Sequence, residues 1–273
     1  MQEFIRVENL WKTYEKKTVL GGVDFSVQEN ASVAFMGHNG SGKSTLLKII
    51  AGLVRPSKGR VHTGRKLLFH YVPERFPKME MTVAQYLDYM GSFDKIPKKE
   101  CKDRIQKLCT DFYMEEMLPV KLSCLSKGTL QKAGVIQALL KKPDVLLLDE
   151  PLSGQDADSQ RVFIHKMQQL KRENVTILMS CHEPYLMEQV SDVFYELQHG
   201  EIVPVSRPER PAERKYELWF EKEGKIQKKI LPEKECNSII LQLLQSGWKM
   251  KKMLEVEDEN TGNISAASVS EKQ

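Results

Sequence analysis

No apolar run in the 273 residues approaches the ~18 residues that a membrane-spanning helix needs. If the protein works at a membrane, another chain must hold it there. Cysteine is sparse: Cys101, Cys109, Cys124, Cys181 and Cys236 make an odd number, and no two stand at C-x-x-C spacing. That speaks against a zinc site or a disulfide framework and fits reduced thiols in a cytosolic compartment. An excess of one charge is missing too. The 41 basic and 37 acidic residues leave a formal net charge of +4. No nucleic-acid-binding surface is indicated, since its basic residues should cluster. The first residues, MQEFIRVENLWKTY, carry charges throughout and lack the apolar stretch of a signal peptide. No internal repeat is visible. What remains is a chain with 41% hydrophobic and 29% charged residues, the composition of a soluble globular protein.

Strand-forming residues dominate Phe4 to Val7 and Val19 to Val27, the latter broken by Gly21-Gly22. Ser32 to Met36 is a short apolar run that ends at Gly37, which predicts a buried strand. Ser44 to Ala51 has helical composition and stops at Gly52. From about Val83 to Leu140 apolar residues recur at helical spacing, as in Tyr86, Leu87 and Met90, or Ile105, Leu108 and Phe112; Gly128 to Leu140 is a further helix. Val145 to Leu148 and Val175 to Met179 read as buried strands, with a helix over Gln160 to Leu170 between them. Such alternation implies an α/β core around a parallel sheet, with the helical middle as an inserted subdomain. Pro204 to Arg214, with three prolines and several charges, predicts a linker. Beyond it, Tyr216 to Phe220 and Lys225 to Leu231 predict a hairpin around Glu223-Gly224, followed by a helix over Pro232 to Gln245 and a strand over Trp248 to Val256. Asn260 to Gln273 is polar and predicts a disordered tail.

The segment GHNGSGKST, Gly37 to Thr45, matches G-x-x-x-x-G-K-[ST] in full. The pattern follows from the chemistry of phosphate. Gly37, Gly40 and Gly42 let the backbone turn tightly, so that successive N–H groups, with those of His38, Asn39 and Ser41, aim at phosphate oxygens. The following helix points its positive end at the same place. Lys43 reaches the β- and γ-phosphates, and Ser44, next to Thr45, offers its hydroxyl to Mg²⁺. A chance glycine-rich turn would lack the flanking strand and helix. Binding alone does not imply turnover. Val145 to Glu150 adds that step: an apolar strand delivers Asp149, which can hold Mg²⁺ through water, and Glu150 can orient or deprotonate an attacking water. In isolation the same pair would be two surface carboxylates ending a strand.

With these motifs in order, the sequence resembles the ATP-binding cassette (ABC) ATPases over about Phe4 to Val203. The resemblance implies an α/β fold: a P-loop NTPase of ABC type with an N-terminal antiparallel β subdomain, a parallel-sheet RecA-like core and an α-helical subdomain inserted at about 77–140. A small C-terminal α+β extension would follow, giving a domain over 1–204, a linker at 205–214, the extension at 215–257 and a tail at 258–273. Tyr14 matches the aromatic that stacks on adenine. Leu125-Ser126-Lys127-Gly128-Thr129 matches the signature that opens a helix and binds the γ-phosphate held by a second protomer, which assigns Ser126 and Gly128 to that contact. Ser153-Gly154-Gln155-Asp156 resembles the D-loop, with Asp156 at the protomer interface, and His182 matches the switch histidine at the γ-phosphate.

The chain departs from the family pattern at three places. Glu74 stands where the family usually has glutamine, still able to ligate Mg²⁺ but adding negative charge beside the γ-phosphate. Lys127 and Thr129 replace a glycine and the glutamine of Leu-Ser-Gly-Gly-Gln, so Lys127 either brings a cation to the phosphates of the second protomer or sits in solvent. Gln155 replaces the usual D-loop leucine. Glu74 with a Ser-Lys-Gly signature resembles the ATPase subunits of bacterial ABC-2-type exporters more than those of solute importers. The resemblance thus implies an ATP- and Mg²⁺-dependent ATPase, catalytic through Glu150, His182, Lys43 and Glu74, with metal at Ser44, Glu74 and Asp149. It further implies a head-to-tail pairing with a second ATP-binding subunit (identical or not), and separate membrane permease subunits that hold it on the cytoplasmic face of the membrane. The competing reading, a non-transport ABC ATPase acting on nucleic acid or ribosomes, lacks long coiled-coil arms, a second cassette and a basic patch.

Overall fold

Three short segments carry almost unbroken apolar runs: β3 (Ser32–Met36), β6 (Val145–Asp149) and β7 (Thr176–Ser180). Every residue of β6 and β7 is buried, as central strands covered on both faces require. The computed structural model describes residues 4–152, 155–181, 184–207 and 215–256. It places these strands in a six-stranded sheet with β5 (Phe69–Val72), β8 (Val193–Gln198) and β9 (Glu201–Val205), in the order β5-β6-β7-β3-β8-β9. Neighbours from β5 to β8 are parallel, and only β9 runs antiparallel, at the edge. The C-terminal ends of β3, β6 and β7 therefore lie side by side, where parallel sheets bind ligands.

One face of this sheet packs on an antiparallel sheet of β1 (Ile5–Tyr14), β2 (Lys17–Val27) and β4 (Lys58–Thr63), in the order β2-β1-β4. Ile5, Val7, Leu10, Leu20 and Val23 share a core with Phe35, Leu147 and Leu178 and with α1 (Lys43–Ile50), through Leu46 and Leu47. The other face packs on α2 (Val83–Phe93), α3 (Lys98–Asp111) and α4 (Lys127–Leu139), and on α5 (Ala157–Arg172) and α6 (Pro184–Val190). Helix α2 starts in a capping box, in which Gln85 N–H donates to Thr82 Oγ1 and Thr82 N–H donates to Gln85 Oε1. Among the described residues no helix is long and apolar enough to cross a membrane.

The chain divides into two compact units, Met1–Glu209 and Arg210–Gln273. In the second, β10 (Lys215–Lys222), β11 (Lys225–Pro232) and β12 (Lys249–Val256) form a sheet in the order β11-β10-β12. Leu218 and Phe220 on this sheet pack against Cys236 of α7 (Glu233–Gln245). Glu223 and Gly224 both take positive φ, 51° and 75°, as a two-residue hairpin turn requires.

Two differences from the sequence reading stand out. Pro204 and Val205, read as the start of a linker, belong to β9, where they pair with Tyr195 and Phe194. An edge strand tolerates a proline, because one side of its backbone has no ladder to complete. The weakly patterned strands β4, β8 and β9 have no counterpart in the sequence reading. The expected tail lies outside the described residues.

Candidate functional site

The loop after β3 is built on glycines at positive φ, Gly37 (137°), Gly40 (82°) and Gly42 (112°). A Cβ on Gly37 would lie 2.6 Å from Leu197 O and 2.8 Å from Ser41 Oγ, so no other residue fits there without movement. Gly42 caps α1 with no side-chain cap, and the first turn carries no acidic residue. The free N–H groups of that turn and the helix dipole make an anion cradle. Ser41 Oγ is buried and has no hydrogen-bond partner among the described residues, a cost that a phosphate oxygen would relieve.

Lys43, only 6% exposed, donates from Nζ to Gly37 O (2.8 Å) and His38 O (3.2 Å) and lies 3.6 Å from Glu150 Oε1. Phosphate loop and strand-end carboxylate are thus in contact although they are 107 residues apart in sequence. Asp149, 2% exposed, accepts three hydroxyl bonds. Ser44 Oγ (2.9 Å) and Ser180 Oγ (2.7 Å) donate to Oδ1, and Tyr71 OH (2.8 Å) donates to Oδ2. Glu150 sits at φ 48°, in the left-handed region, and its N–H donates to Ser180 Oγ at 3.0 Å. Ser180 therefore holds both carboxylate residues at the end of β6. Burial, then the Asp149 charge and hydrogen bond, then Glu74, push the Tyr71 phenol well above its ordinary pKa, so it remains a donor.

Glu74 follows β5 and Lys127 opens α4, and Lys127 Nζ lies 3.7 Å from Glu74 Oε1. Two of the residues that depart from the family pattern are therefore ion-paired within one chain, with both side chains still largely open to solvent. Ser126 caps α4, accepting from Thr129 N–H at 3.2 Å, with its Oγ 2.8 Å from Thr129 Oγ1. Gly128 lies in the first turn of that helix. Asp156 caps α5, accepting from Ser159 N–H (2.8 Å) and Ser159 Oγ (2.9 Å), bonds that hold its carboxyl below the usual range. Tyr14 ends β1 as an exposed residue (45%), with Lys12 Nζ 4.6 Å from its ring centroid. The hairpin that carries it meets the phosphate loop, since Leu20 and Val19 of β2 lie 3.0 to 3.2 Å from the Cβ position of Gly42. His182 lies outside the described residues, as do Ser153 and Gly154.

The structure thus brings together Gly37, His38, Ser41, Gly42, Lys43, Ser44, Asp149 and Glu150, and adds Tyr71 and Ser180, which the sequence reading missed. A signal for Ser180 was present, a hydroxyl residue ending an apolar strand two residues before the proposed switch histidine. Tyr71 carried none, because its relation to Asp149 depends on β5 pairing with β6. Among the described residues no three His, Cys, Asp or Glu side chains gather as a metal site. The donors still suit Mg²⁺. Such an ion is held by one or two protein ligands together with substrate phosphates, and Ser44, whose hydrogen goes to Asp149, keeps its lone pairs for it.

Residues 20–153 match the protein family described as ABC transporter. An uncharacterized ABC transporter ATP-binding protein of Methanocaldococcus jannaschii is 30% identical over 259 residues, which cover 94% of this chain and 98% of that protein. The zinc import ATP-binding protein ZnuC of Acinetobacter baylyi is 33% identical over 183 residues, covering 66% of this chain and 68% of its own. A solved structure described as an ATP binding subunit of an ABC transporter superposes with a TM-score of 0.69 at 29% identity, over 74% of this chain and 90% of that one. With identity that runs along nearly its whole length, the chain belongs to the ABC transporter family, as an ATP-binding cassette that hydrolyses ATP.

Proposed function

We propose that the chain is one half of a head-to-tail ATPase pair that drives a membrane exporter, using MgATP held at Gly37 to Thr45. The direct contact between Lys43 and Glu150 is the observation that carries the assignment of residues. The loop N–H groups and Lys43 bind the phosphates, and Lys43 exchanges its bonds to Gly37 O and His38 O for phosphate oxygens. Ser44 and Asp149 would hold Mg²⁺, with Glu74 as a further carboxylate; the ion supplies charge neutralisation at the β- and γ-phosphates. Glu150 orients the attacking water and accepts its proton as the water oxygen bonds to the γ-phosphorus and the bond from that phosphorus to the β–γ bridging oxygen breaks, so that ADP leaves with the bridging oxygen and inorganic phosphate is formed. His182 contacts the γ-phosphate, and Tyr14 stacks on the adenine. Ser126 and Gly128 face the nucleotide of the partner subunit, so ATP favours the closed pair and hydrolysis releases it. Asp156 lies at the seam between the two protomers.

The exporter reading rests on Glu74 with Ser126-Lys127-Gly128. The relatives include a protein named for zinc import, so direction needs its own measurement. In vesicles carrying the chain with its membrane subunits, ATP supplied on the cassette side should drive cargo away from that side. Uptake toward the ATP would reverse the reading. Residue roles are tested by equilibrium ATP binding to Lys43→Ala. Losing bonds to a charged group should cost about 1.5–3 kcal/mol of affinity. Unchanged affinity would remove Lys43 from the site.

A further inference from the structure

We propose that Tyr71 is a positioning residue for the metal site, acting through Asp149 on Ser44. The inference rests on the assignment of Asp149 and Ser44 to Mg²⁺ and adds a residue to it.

Asp149 is buried, so each carboxylate oxygen needs a donor. Oδ1 has two, Ser44 Oγ and Ser180 Oγ. Oδ2 receives Tyr71 OH at 2.8 Å. The three donors come from three elements, α1, β7 and β5, and β5 and β7 are the strands on either side of β6. A carboxylate held by donors from both neighbouring strands cannot rotate about its terminal torsion without breaking one. That rotation matters because Ser44 gives its hydrogen to Oδ1. The direction of this bond decides where the lone pairs of Ser44 point, and so where a cation is received. If Oδ2 lost its donor, the carboxylate plane would be fixed from one side only. The Ser44 hydroxyl would then be free to follow it.

Tyr71 also packs on the core beneath the antiparallel sheet. Packing and positioning separate in Tyr71→Phe, which keeps the ring and removes only the hydroxyl. The full chain is titrated with Mn²⁺ by electron paramagnetic resonance in the presence of ATP, and ATP affinity is measured separately without divalent metal. Tyr71→Phe should weaken Mn²⁺ binding about ten-fold, leave metal-free ATP affinity unchanged and raise the Mg²⁺ concentration for half-maximal ATPase. Wild-type Mn²⁺ affinity in this variant would overturn the proposal. So would equal losses in metal-free and metal-dependent binding, which would mark a packing role. Asp149→Asn, measured alongside, separates the two levels. If it too leaves Mn²⁺ affinity unchanged, the underlying assignment of Asp149 fails and the role of Tyr71 falls with it. If only Asp149→Asn weakens the metal, Asp149 stands and Tyr71 alone is refuted.

Discussion

Lys127 Nζ lies 3.7 Å from Glu74 Oε1, tying the first residue of α4 to the segment that leaves β5. A lysine in the first helical turn opposes the helix dipole, and a carboxylate beside it offsets that. With side chains 50% and 41% exposed, the pair contributes only about 0.2–1 kcal/mol. Lys127→Gly and Glu74→Gln should each lower ATPase activity, and the double variant should lose less than the sum. The coupling should correspond to a factor of about 1.5 to 5 in rate at low salt and shrink as salt screens it. Strict additivity would show that the ion pair has no part in turnover.

Glu150 combines a left-handed backbone, contact with Lys43 and an N–H bond to Ser180. Glu150→Gln keeps its size and removes the acceptor for the water proton. Steady-state ATPase should fall by about 10²–10⁴-fold, while ATP still binds and size-exclusion chromatography shows a persistent dimer. Unchanged turnover would take Glu150 out of the base role.

Gly91 of α2 faces Cys101 of α3 so closely that a Cβ on Gly91 would lie 2.1 Å from Cys101 Sγ. Alanine normally gains about 0.5–1 kcal/mol over glycine within a helix. Here overpacking should reverse the sign and cost about 1–3 kcal/mol. Chemical denaturation of Gly91→Ala should show the loss, and Cys101→Ala in the same chain should recover much of it. A stabilised Gly91→Ala would contradict this packing.

Cys124 is exposed, whereas Cys101, Cys109, Cys181 and Cys236 are buried. Burial, and secondarily Glu115, push the Cys109 thiol up to about 11, so its thiolate is scarce at pH 8. Iodoacetamide at that pH should alkylate Cys124 first in the native protein. Peptide mapping after brief labelling checks this, and early modification of Cys109 would contradict it. All five cysteines should react once the chain is unfolded.

The phosphate loop was legible in the sequence because its geometry is local. Gly37, Gly40 and Gly42 are needed for backbone angles that few other residues adopt, and Lys43 and Ser44 follow at the helix start. Strands β3, β6 and β7 were legible for a related reason: burial on both faces demands continuous apolar runs. The strands missed show the converse. In β4 no residue is fully buried, and Pro204 in β9 reads as a linker signal until its pairing with Tyr195 is known.

The sequence by itself determined that a phosphate-binding loop, a strand-end Asp149-Glu150 pair and a signature at Ser126 exist in one chain, since each is written in adjacent residues. Only the tertiary structure decided what surrounds them. The order β5-β6-β7 brings Tyr71 and Ser180 to opposite sides of Asp149, and the approach of α4 to the segment after β5 joins Lys127 to Glu74. These contacts span between 31 and 78 residues of sequence, so no local pattern records them. They exist because strand pairing and burial bring distant hydroxyls and charges within hydrogen-bonding or ion-pairing distance.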